Sequence, residues 1–318
     1  MTRIAVTGGA GFIGTNLVNR LINEGLDVVV IDDLSTGLSS NLLGKKCEFH
    51  KISITDLKNL APRISDCEVI FHLGARGSVP RSIKNPEATH FVNATGTLNV
   101  LEIAKKSGAH VIFSSSSSVY GRNSALPKIE NMWLGPKTPY AASKLAAESY
   151  IQAYADSFGI PTTIFRLFNV FGPFQRPDHD YAAVLPKWIW LAMNDRQIEV
   201  FGDGTISRDF TFIDSVVDIF MSTFKNKVTY LDPINLAYGN KICLNEALSI
   251  LQYHFPRLKI QYLNPRVGDV QDSQNNPLLI KKLFPEFSPK PFSQSLKDTI
   301  LWLEAFGHKV ANGPKVID

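Results

Sequence analysis

Tyr140 and Lys144 are the residues of this chain whose types and spacing most directly suggest chemistry. They lie four residues apart in the stretch TPYAASK, and Pro139 stands where a helix over 141–154 would begin. Residues four apart share one helix face, and an ammonium close to a phenol lowers the phenol pKa from about 10. The pair could therefore take a proton from a substrate hydroxyl, provided that a hydride acceptor lies nearby. Most Tyr/Lys pairs at this spacing are solvated helix surface, so the interpretation depends on the rest of the chain.

The first 32 residues indicate where a hydride acceptor would bind. Apolar runs at 3–7 and 27–32 predict two strands, and the apolar periodicity of 15–23 predicts a helix between them. The segment GGAGFIG (8–14) joins the first strand to the helix, which is the context that a dinucleotide fingerprint requires. Glycines let the backbone approach a pyrophosphate, and the positive end of the helix attracts it. Outside this context a plain glycine turn would be the better interpretation.

Asp32 ends the second predicted strand, 18 residues after Gly14. A carboxylate at this place accepts hydrogen bonds from both hydroxyls of an adenosine ribose and repels a 2′-phosphate. No arginine occurs in the next five residues, DLSTG. The pattern favours NAD over NADP, and a solvated turn residue is the alternative.

The alternation of strands and helices continues through the first half of the chain. Further strands are predicted near 48–52, 68–72, 110–114 and 162–167, with helices at 86–107 and 141–154. This order predicts an α/β fold of the Rossmann type, a doubly wound parallel sheet with right-handed connections.

The pattern changes after Asn169, where the elements become shorter and more mixed. The stretch 171–181 predicts a long loop, and further helices are expected near 182–193, 245–254, 277–284 and 293–306. We therefore predict two domains. The cofactor domain is 1–168, with 205–240 returning to it, and the smaller α/β substrate domain is 169–204 with 241–318.

Composition excludes several classes of function. The chain has 318 residues, 44% apolar and 19% charged, with a net charge of +4 and no basic run, so no nucleic-acid partner is expected. No apolar segment approaches the roughly 20 residues of a membrane span, and no signal peptide is evident, so a cytoplasmic location is expected. The three scattered cysteines, Cys47, Cys67 and Cys243, predict reduced thiols and no metal site.

Six motifs occur in a familiar order: TGGAGFIG, VVVIDD, HLGA (72–75), VNATGTLNVLE (92–102), SSSSSVYG (114–121) and YAASK. Over nearly its whole length the chain resembles the extended short-chain dehydrogenases/reductases of the NAD-dependent epimerase/dehydratase family. The resemblance implies that Tyr140 is the base, that Lys144 binds the nicotinamide ribose and that the Ser116 hydroxyl helps to hold substrate O4. The residues implied to hold NAD are Gly8, Gly11, Phe12, Ile13, Gly14, Asp32, Asp56, Leu57, Leu73, Gly74, Ala75, Asn93, Tyr140 and Lys144, with Asp56 and Leu57 beside the adenine. His72 is better interpreted as a satisfied core histidine.

Two arginines of the second half suit a diphosphate, because a guanidinium binds such groups in a bidentate manner. They are Arg208 in GDGTISRDF and Arg266 in PRVGD, and both resemble the diphosphate-binding arginines of nucleotide-sugar epimerases. The same resemblance places Phe201 against uracil, Asp269 on a ribose and Asn169 at the diphosphate–sugar linkage.

Within the family, the segments GSVPRSI (77–83), YAAVLPKWI (181–189) and GDVQDS (268–273) resemble those of UDP-N-acetylglucosamine 4-epimerases. In that subgroup a small residue at the place of Ser273 leaves room for the N-acetyl group, so UDP-GlcNAc is the favoured partner, with UDP-glucose behind it. The residues implied to bind substrate are Gly77, Ser78, Ser116, Ser117, Asn169, Val184, Phe201, Arg208, Arg266, Asp269 and Ser273. Helices 86–107 and 141–154 match those of the family's dimer interface, so a homodimer is expected.

Members of the family differ in how they use the ketone formed by oxidation at C4. In 4,6-dehydratases an Asp-Glu pair occupies the places of Ser117 and Ser118, and in UDP-glucuronate decarboxylases a Glu occupies the second of them. The two serines therefore favour C4 epimerisation without net redox. The loop residues Asp178, His179 and Asp180 leave an alternative open, since Asp180 matches a position that borders the sugar. An acid there could promote loss of water across C5–C6, as in the tunicamycin-pathway UDP-GlcNAc 5,6-dehydratase, or the three residues could be a hydrated loop. A non-catalytic NAD-binding regulator is a remote alternative, because such proteins usually lose the Tyr/Lys pair.

Overall fold

The computed structural model describes residues 2–178, 182–265 and 272–311, with the backbone alone for the last four of these. The strands are β1 Arg3–Thr7, β2 Asp27–Ile31, β3 Glu48–His50, β4 Val69–His72, β5 His110–Ser116, β6 Thr162–Leu167, β7 Val170–Phe171, β8 Ile198–Phe201, β9 Ser207–Arg208, β10 Thr211–Phe212, β11 Tyr230–Leu236, β12 Ile242–Cys243 and β13 Ile260–Leu263. The helices are α1 Phe12–Asn23, α2 Leu57–Ile64, α3 Val79–Lys84, α4 Pro86–His90, α5 Gly96–Ser107, α6 Pro139–Phe158, α7 Val184–Met193, α8 Ile213–Lys225, α9 Leu244–His254, α10 Leu278–Leu283 and α11 Phe292–Ala311.

Seven parallel strands form the central sheet in the order β11-β6-β5-β4-β1-β2-β3. Strands β1, β2 and β4 are continuous apolar runs because helices cover both faces of the sheet. The order reverses between β1 and β4, which leaves a crevice at their carboxyl ends where such sheets bind ligands. The predicted doubly wound α/β fold is confirmed.

Two apolar clusters cover the two faces of the sheet. Ile4 and Val6 of β1 belong to the cluster that contains Leu17 of α1 and residues of α8, whereas Ala5 belongs to the cluster with Leu60 of α2. The division arises from the two-residue repeat of a strand, which directs neighbouring side chains to opposite faces. Each face therefore anchors the helices that carry the site.

The helix that carries the predicted base is longer than expected. It begins at Pro139 and ends at Phe158, where Gly159 adopts a left-handed conformation (φ 68°), rather than spanning 141–154. Thr138 caps it, since its Oγ1 accepts a hydrogen bond from the N–H of Ala141 at 3.2 Å. The cap fixes the first turn, in which Tyr140 lies.

The predicted helix 86–107 is not a single α-helix. A π-helical turn, Phe91–Thr95, separates α4 from α5. Such turns often occur at functional sites. This one carries Asn93, whose side chain binds the main chain of Arg76 at the carboxyl edge of the sheet.

The chain returns to the sheet after a long excursion. Strand β11 pairs with β6, and α8 packs against α1, where Arg20 Nη1 lies 2.8 Å from Asp218 Oδ1. The pairs β8–β13 and β9–β12 lie outside the sheet. The division into 1–168 with 205–240, and 169–204 with 241–318, stays a prediction. Within the described residues, none of the helices is both long and apolar enough to cross a membrane.

Candidate active site

Lys144 is held in place beneath the carboxyl end of β5. Its side chain is 3% exposed, and Nζ donates to the carbonyl of Ser114 at 2.8 Å and lies 4.7 Å from the ring centre of Phe113. Burial lowers the pKa of Lys144 to about 8, and the carboxylate of Glu148 opposes this effect. The ammonium is therefore charged at neutral pH in a site with little water.

Tyr140 lies one turn before Lys144 on the same face of α6. Burial raises the pKa of its phenol, and a hydrogen bond with Ser116 opposes that rise. The sequence argument expected Lys144 to lower this pKa, whereas the net shift of the Tyr140 pKa is upward. The reason is that loss of water outweighs the charge of an ammonium whose Nζ is directed to the Ser114 carbonyl.

The serines after Ser114 end β5 and form a 3₁₀ turn over Ser117–Tyr120. Ser116 Oγ accepts a hydrogen bond from the N–H of Ser118 at 3.2 Å, which closes the turn beside Tyr140. Ser118 Oγ is buried, and it has no hydrogen-bond partner in the described part of the chain. Hydroxyl groups therefore stand where the predicted sugar would bind.

A cavity of about 280 Å³ opens at the crevice beside β1. An added Cβ at Gly14 would lie 2.1 Å from the carbonyl oxygen of Gly8, and Gly8 has φ +70°, so both positions require glycine. The N-cap of α1, Gly11, contributes no side-chain cap, which leaves the first amide groups for a phosphate. These features fit NAD. The cavity is lined by nine of the predicted residues, Gly8, Gly11, Phe12, Ile13, Gly14, Asp32, Leu73, Gly74 and Ala75.

Asp32 lies in the cavity wall with 8% of its surface exposed. Its Oδ2 accepts from the N–H of Ala10 at 3.0 Å, and its Oδ1 accepts from the N–H of Leu34 at 2.8 Å. Burial raises the pKa of the carboxyl to about 6 even with these two hydrogen bonds. The carboxylate therefore has a fixed orientation and can accept further hydrogen bonds, as expected of a group that would bind ribose hydroxyls.

Asp56 and Leu57 are not among the residues that line this cavity, and their predicted place beside the adenine stays a prediction. Asp56 caps α2, accepting from the N–H of Asn59 at 3.2 Å, and Leu57 is 40% exposed. Ile52 and Ile54, which precede them in the chain, do line the cavity. Apolar side chains there suit the flat face of an adenine.

The side-chain amide of Asn93 forms hydrogen bonds with the loop after β4 and with α6. Its Oδ1 accepts from the N–H of Arg76 at 2.7 Å, and its Nδ2 donates to Ser143 Oγ at 2.9 Å. It therefore links the loop after β4 to α6. Its predicted role as a residue that lines the cofactor stays a prediction.

His72 is a satisfied core residue, as interpreted from the sequence. Thr7 Oγ1 accepts from the N–H of Gly74, and it donates to Nδ1 at 2.8 Å because Nε2 carries the proton of the neutral imidazole. Thr97 Oγ1 donates to the Asn93 carbonyl and accepts from Nε2–H, at 3.0 Å. Burial lowers the pKa of His72 to about 3, which keeps the imidazole neutral.

A second cavity, of about 450 Å³, lies between α7, β8 and β9. Three predicted substrate residues meet there: Val184 at the start of α7, Phe201 at the end of β8 and Arg208 on β9. Two cations that were not anticipated, Lys187 and Arg196, line it as well. Lys187 comes three residues after Val184, a spacing that puts both on one helix face and could have predicted it.

Asn169 and Ser273 are brought together across a sequence separation of 104 residues. Asn169 Nδ2 donates to Ser273 Oγ at 3.3 Å and to the carbonyl of Asp209 at 3.1 Å.

Gly77 is exposed, and Ser78 caps α3 with φ 141°, a conformation rare outside glycine. Both stand in the loop between β4 and α3.

The predicted loop acids fall partly outside the described residues. Asp178 is described, and its two carboxylate oxygens accept from Nε and Nη2 of Arg176 at 3.1 and 2.9 Å. That carboxylate is thus engaged in an ion pair. His179, Asp180, Arg266 and Asp269 lie outside the described residues, so their predicted roles stay predictions.

Comparison with known proteins agrees with this geometry. The family model of the NAD dependent epimerase/dehydratase family matches residues 4–236. A putative UDP-glucose 4-epimerase from Methanocaldococcus jannaschii is 35% identical over 274 residues, 84% of this chain and 87% of that protein. The solved UDP-N-acetylglucosamine 4-epimerase from Methanobrevibacter ruminantium M1, in complex with UDP-N-acetylmuramic acid, is 32% identical with a TM-score of 0.90, covering 96% of this chain and 98% of that one. TunA, an NAD-dependent NDP-hexosamine 5,6-dehydratase involved in tunicamycin biosynthesis, is 30% identical with a TM-score of 0.87, covering 96% and 98%. The chain therefore belongs to the NAD-dependent epimerase/dehydratase family, whose members are enzymes that use NAD and act on nucleotide sugars.

Proposed function

We propose that this enzyme interconverts the two C4 epimers of a UDP-hexosamine, with UDP-GlcNAc as the favoured substrate. The observation that carries the proposal is the composition of the β5 end beside Tyr140, where Ser116 and Ser117 offer hydroxyls and the place of Ser118 holds no carboxylate. Hydroxyls can hold a sugar oxygen in either configuration. A carboxylate would be needed to remove the C5 proton that becomes acidic beside a 4-ketone.

Bound NAD supplies a reversible hydride acceptor for C4. Tyr140 takes the proton of O4 and later returns it, while the Ser116 hydroxyl orients the same oxygen. Lys144, charged at neutral pH, supplies the positive charge that a Tyr140 phenolate requires in a buried site. Between the two half-reactions the 4-keto sugar rotates, so that C4 receives the hydride back on its other face. The reaction therefore involves no net redox change.

The second cavity supports a UDP-sugar as the ligand. Arg208, Lys187 and Arg196 outnumber the one carboxylate in its lining, Glu199, and so suit a diphosphate. Phe201 supplies an aromatic face for uracil. Asn169 and Ser273 would then lie beside the sugar, and the small Ser273 side chain leaves room for an N-acetyl group. Two relatives bear on the sugar, since one acts on UDP-GlcNAc by its description and another on UDP-glucose.

A second candidate is 5,6-dehydration of UDP-GlcNAc. The likeness to TunA is nearly as close as the likeness to the 4-epimerase. Asp180 would supply the acid for this reaction, since Asp178 is engaged with Arg176. The two reactions share the roles of Tyr140, Lys144 and Ser116.

Incubation with NAD and UDP-GlcNAc, with mass spectrometry and proton NMR of the products, separates the candidates. An unchanged mass with a new galacto H4 signal identifies the epimerase, and loss of one water with vinyl protons identifies the dehydratase. Tyr140→Phe should abolish either product. If neither product forms and neither UDP-GlcNAc nor UDP-glucose binds, the proposal for the substrate is refuted.

We also propose a homodimer through α4, α5 and α6. This surface exposes three aromatic residues, Phe91 at 51%, Tyr150 at 42% and Phe158 at 50%. Exposed aromatic groups on adjacent helices are typical of protein interfaces. Light scattering on the purified protein tests the proposal, because Tyr150→Glu with Phe158→Glu should give a monomer.

A further inference from the structure

We propose that Glu148 is a positioning residue, which keeps Lys144 charged and aligned with the end of β5 without touching the substrate. The proposal rests on the proposed roles of Tyr140 and Lys144. It concerns a residue that the sequence analysis did not single out, although its place eight residues after Tyr140 puts it on the same face of α6.

Three successive turns of α6 are joined to three successive serines of β5. Tyr140 is hydrogen-bonded with Ser116, and Lys144 Nζ donates to the Ser114 carbonyl at 2.8 Å. Glu148 Oε1 accepts a hydrogen bond from Ser115 Oγ. Glu148 therefore holds the strand at the residue between the two that contact the proposed catalytic pair.

Glu148 is itself fixed by a buried arginine. Its side chain is 1% exposed, that of Arg166 is 3% exposed, and Arg166 Nη2 lies 2.8 Å from Glu148 Oε2. Arg166 Nε adds a second bond at 3.0 Å to Oε1, and its Nη1 donates to Tyr120 Oη at 3.0 Å. The bidentate geometry restricts the direction of the carboxylate.

Stability alone does not account for such a pair. Replacing a buried ion pair by apolar residues of similar volume is often neutral or stabilising, because removing two charges from water is costly. A pair kept beside a charged lysine therefore points to a role in the electrostatics of the site.

The charged and titratable groups around Lys144 make that role specific. His72 of β4 faces it as a neutral imidazole, Tyr140 precedes it on α6, and Arg166 of β6 lies behind Glu148. Strand β5 offers a carbonyl and the ring of Phe113. Among the described residues that shift the Lys144 pKa, Glu148 is the one with a negative charge, and it opposes the lowering caused by burial.

The test is the pH profile of kcat/KM for Glu148→Gln, measured with NAD and the UDP-sugar that the enzyme converts. Glutamine keeps the shape and removes the charge, so the alkaline limb should move to lower pH by about one unit, as expected for loss of one nearby opposite charge. Activity on the acid side should stay within a few-fold of the parent. Asp156→Asn is the matched control, since it removes an exposed carboxylate from the same helix and should leave the profile unchanged.

A second variant covers the case in which Arg166, left without its partner, prevents folding. Glu148→Leu combined with Arg166→Met removes both charges at similar volume and should fold, with an alkaline limb that moves in the same direction by a smaller amount. Glu148→Asp should restore the parental limb. A folded variant without the Glu148 charge that keeps the parental profile would overturn the inference.

Failure of the proposed function gives a different result. If Tyr140→Phe retains turnover, the roles assigned to Tyr140 and Lys144 are wrong. If Tyr140→Phe is inactive and Glu148→Gln has an unshifted profile, the proposed function stands and the role of Glu148 is refuted.

Discussion

Replacing Asp32 by asparagine should make the cofactor-free protein less sensitive to pH while weakening its hold on NAD. The native Asp32 carboxyl has a pKa of about 6, against an ordinary value of 3.8, because it is buried with only two N–H donors. The native state therefore binds this proton more tightly than the unfolded state does. The resulting stability is fully present below pH 3.8 and is lost as the pH rises through 6.

A pKa difference of about two units corresponds to about 3 kcal/mol of unfolding free energy, lost once Asp32 is ionised. Of this, about 1.4 kcal/mol should be lost between pH 5 and pH 8. Asparagine does not titrate, and its poorer match to two N–H donors adds a constant cost of about 1–2 kcal/mol. The pH dependence of the difference between parent and variant thus isolates the charge.

Urea unfolding of both proteins, stripped of cofactor, at pH 5, 6, 7 and 8 measures this dependence. With saturating NAD, ribose hydroxyls would donate to the carboxylate, so the Asp32 contribution to the parental slope should disappear. Asp156→Asn, on the surface, should behave as the parent throughout. Parallel curves for the parent and Asp32→Asn would refute the reasoning.

Close contacts and charges elsewhere in the two cavities and the core give three further predictions. Gly14→Ala places a Cβ 2.1 Å from the Gly8 carbonyl oxygen, so it should lower the melting temperature by several degrees and abolish NAD binding, whereas Gly77→Ala, with open space around the added Cβ, should leave the melting temperature unchanged. The His72 pKa of about 3 lies below the unfolded value near 6.5, so its contribution to the free energy of unfolding is present above pH 6.5 and falls as the pH is lowered. His72→Gln should make that fall less steep in urea unfolding between about pH 4 and 7. Arg208→Met should weaken UDP binding at least tenfold by calorimetry without changing NAD affinity, and Arg208→Lys should weaken it less, since lysine keeps the charge but not the bidentate geometry.

The parts of the fold that could be predicted depend on local patterns. The apolar runs of β1 and β2, the glycines between them and the i, i+4 spacing on α6 are properties of short segments, and the structure places them as expected. Asp56 shows a further property that a short segment can predict. The segment Asp56-Leu-Lys-Asn59 holds a helix-capping pattern, and the local hydrogen bond decided the position of that side chain.

Long-range contacts could not be predicted in this way. The pairing of Glu148 with Arg166 requires knowing that α6 packs against β6, and the Asn169–Ser273 contact crosses 104 residues. Asp209, next to Arg208, is a further example. Its buried carboxylate accepts from the N–H groups of Gly239, Asn240 and Asn275, so it joins two distant loops. Acidic residues of this kind have no sequence pattern that separates them from solvated ones.

The pairing of β11 with β6 has a consequence for synthesis on the ribosome. At about 5–20 residues per second, the stretch from Leu167 to Tyr230 takes several seconds to be translated. During that interval β6 is the outer strand of an incomplete sheet, with its N–H and C=O groups unpaired on one side and open to other chains. We expect nascent chains stalled between these strands to aggregate or recruit chaperones, and chains stalled well beyond Leu236 to escape both.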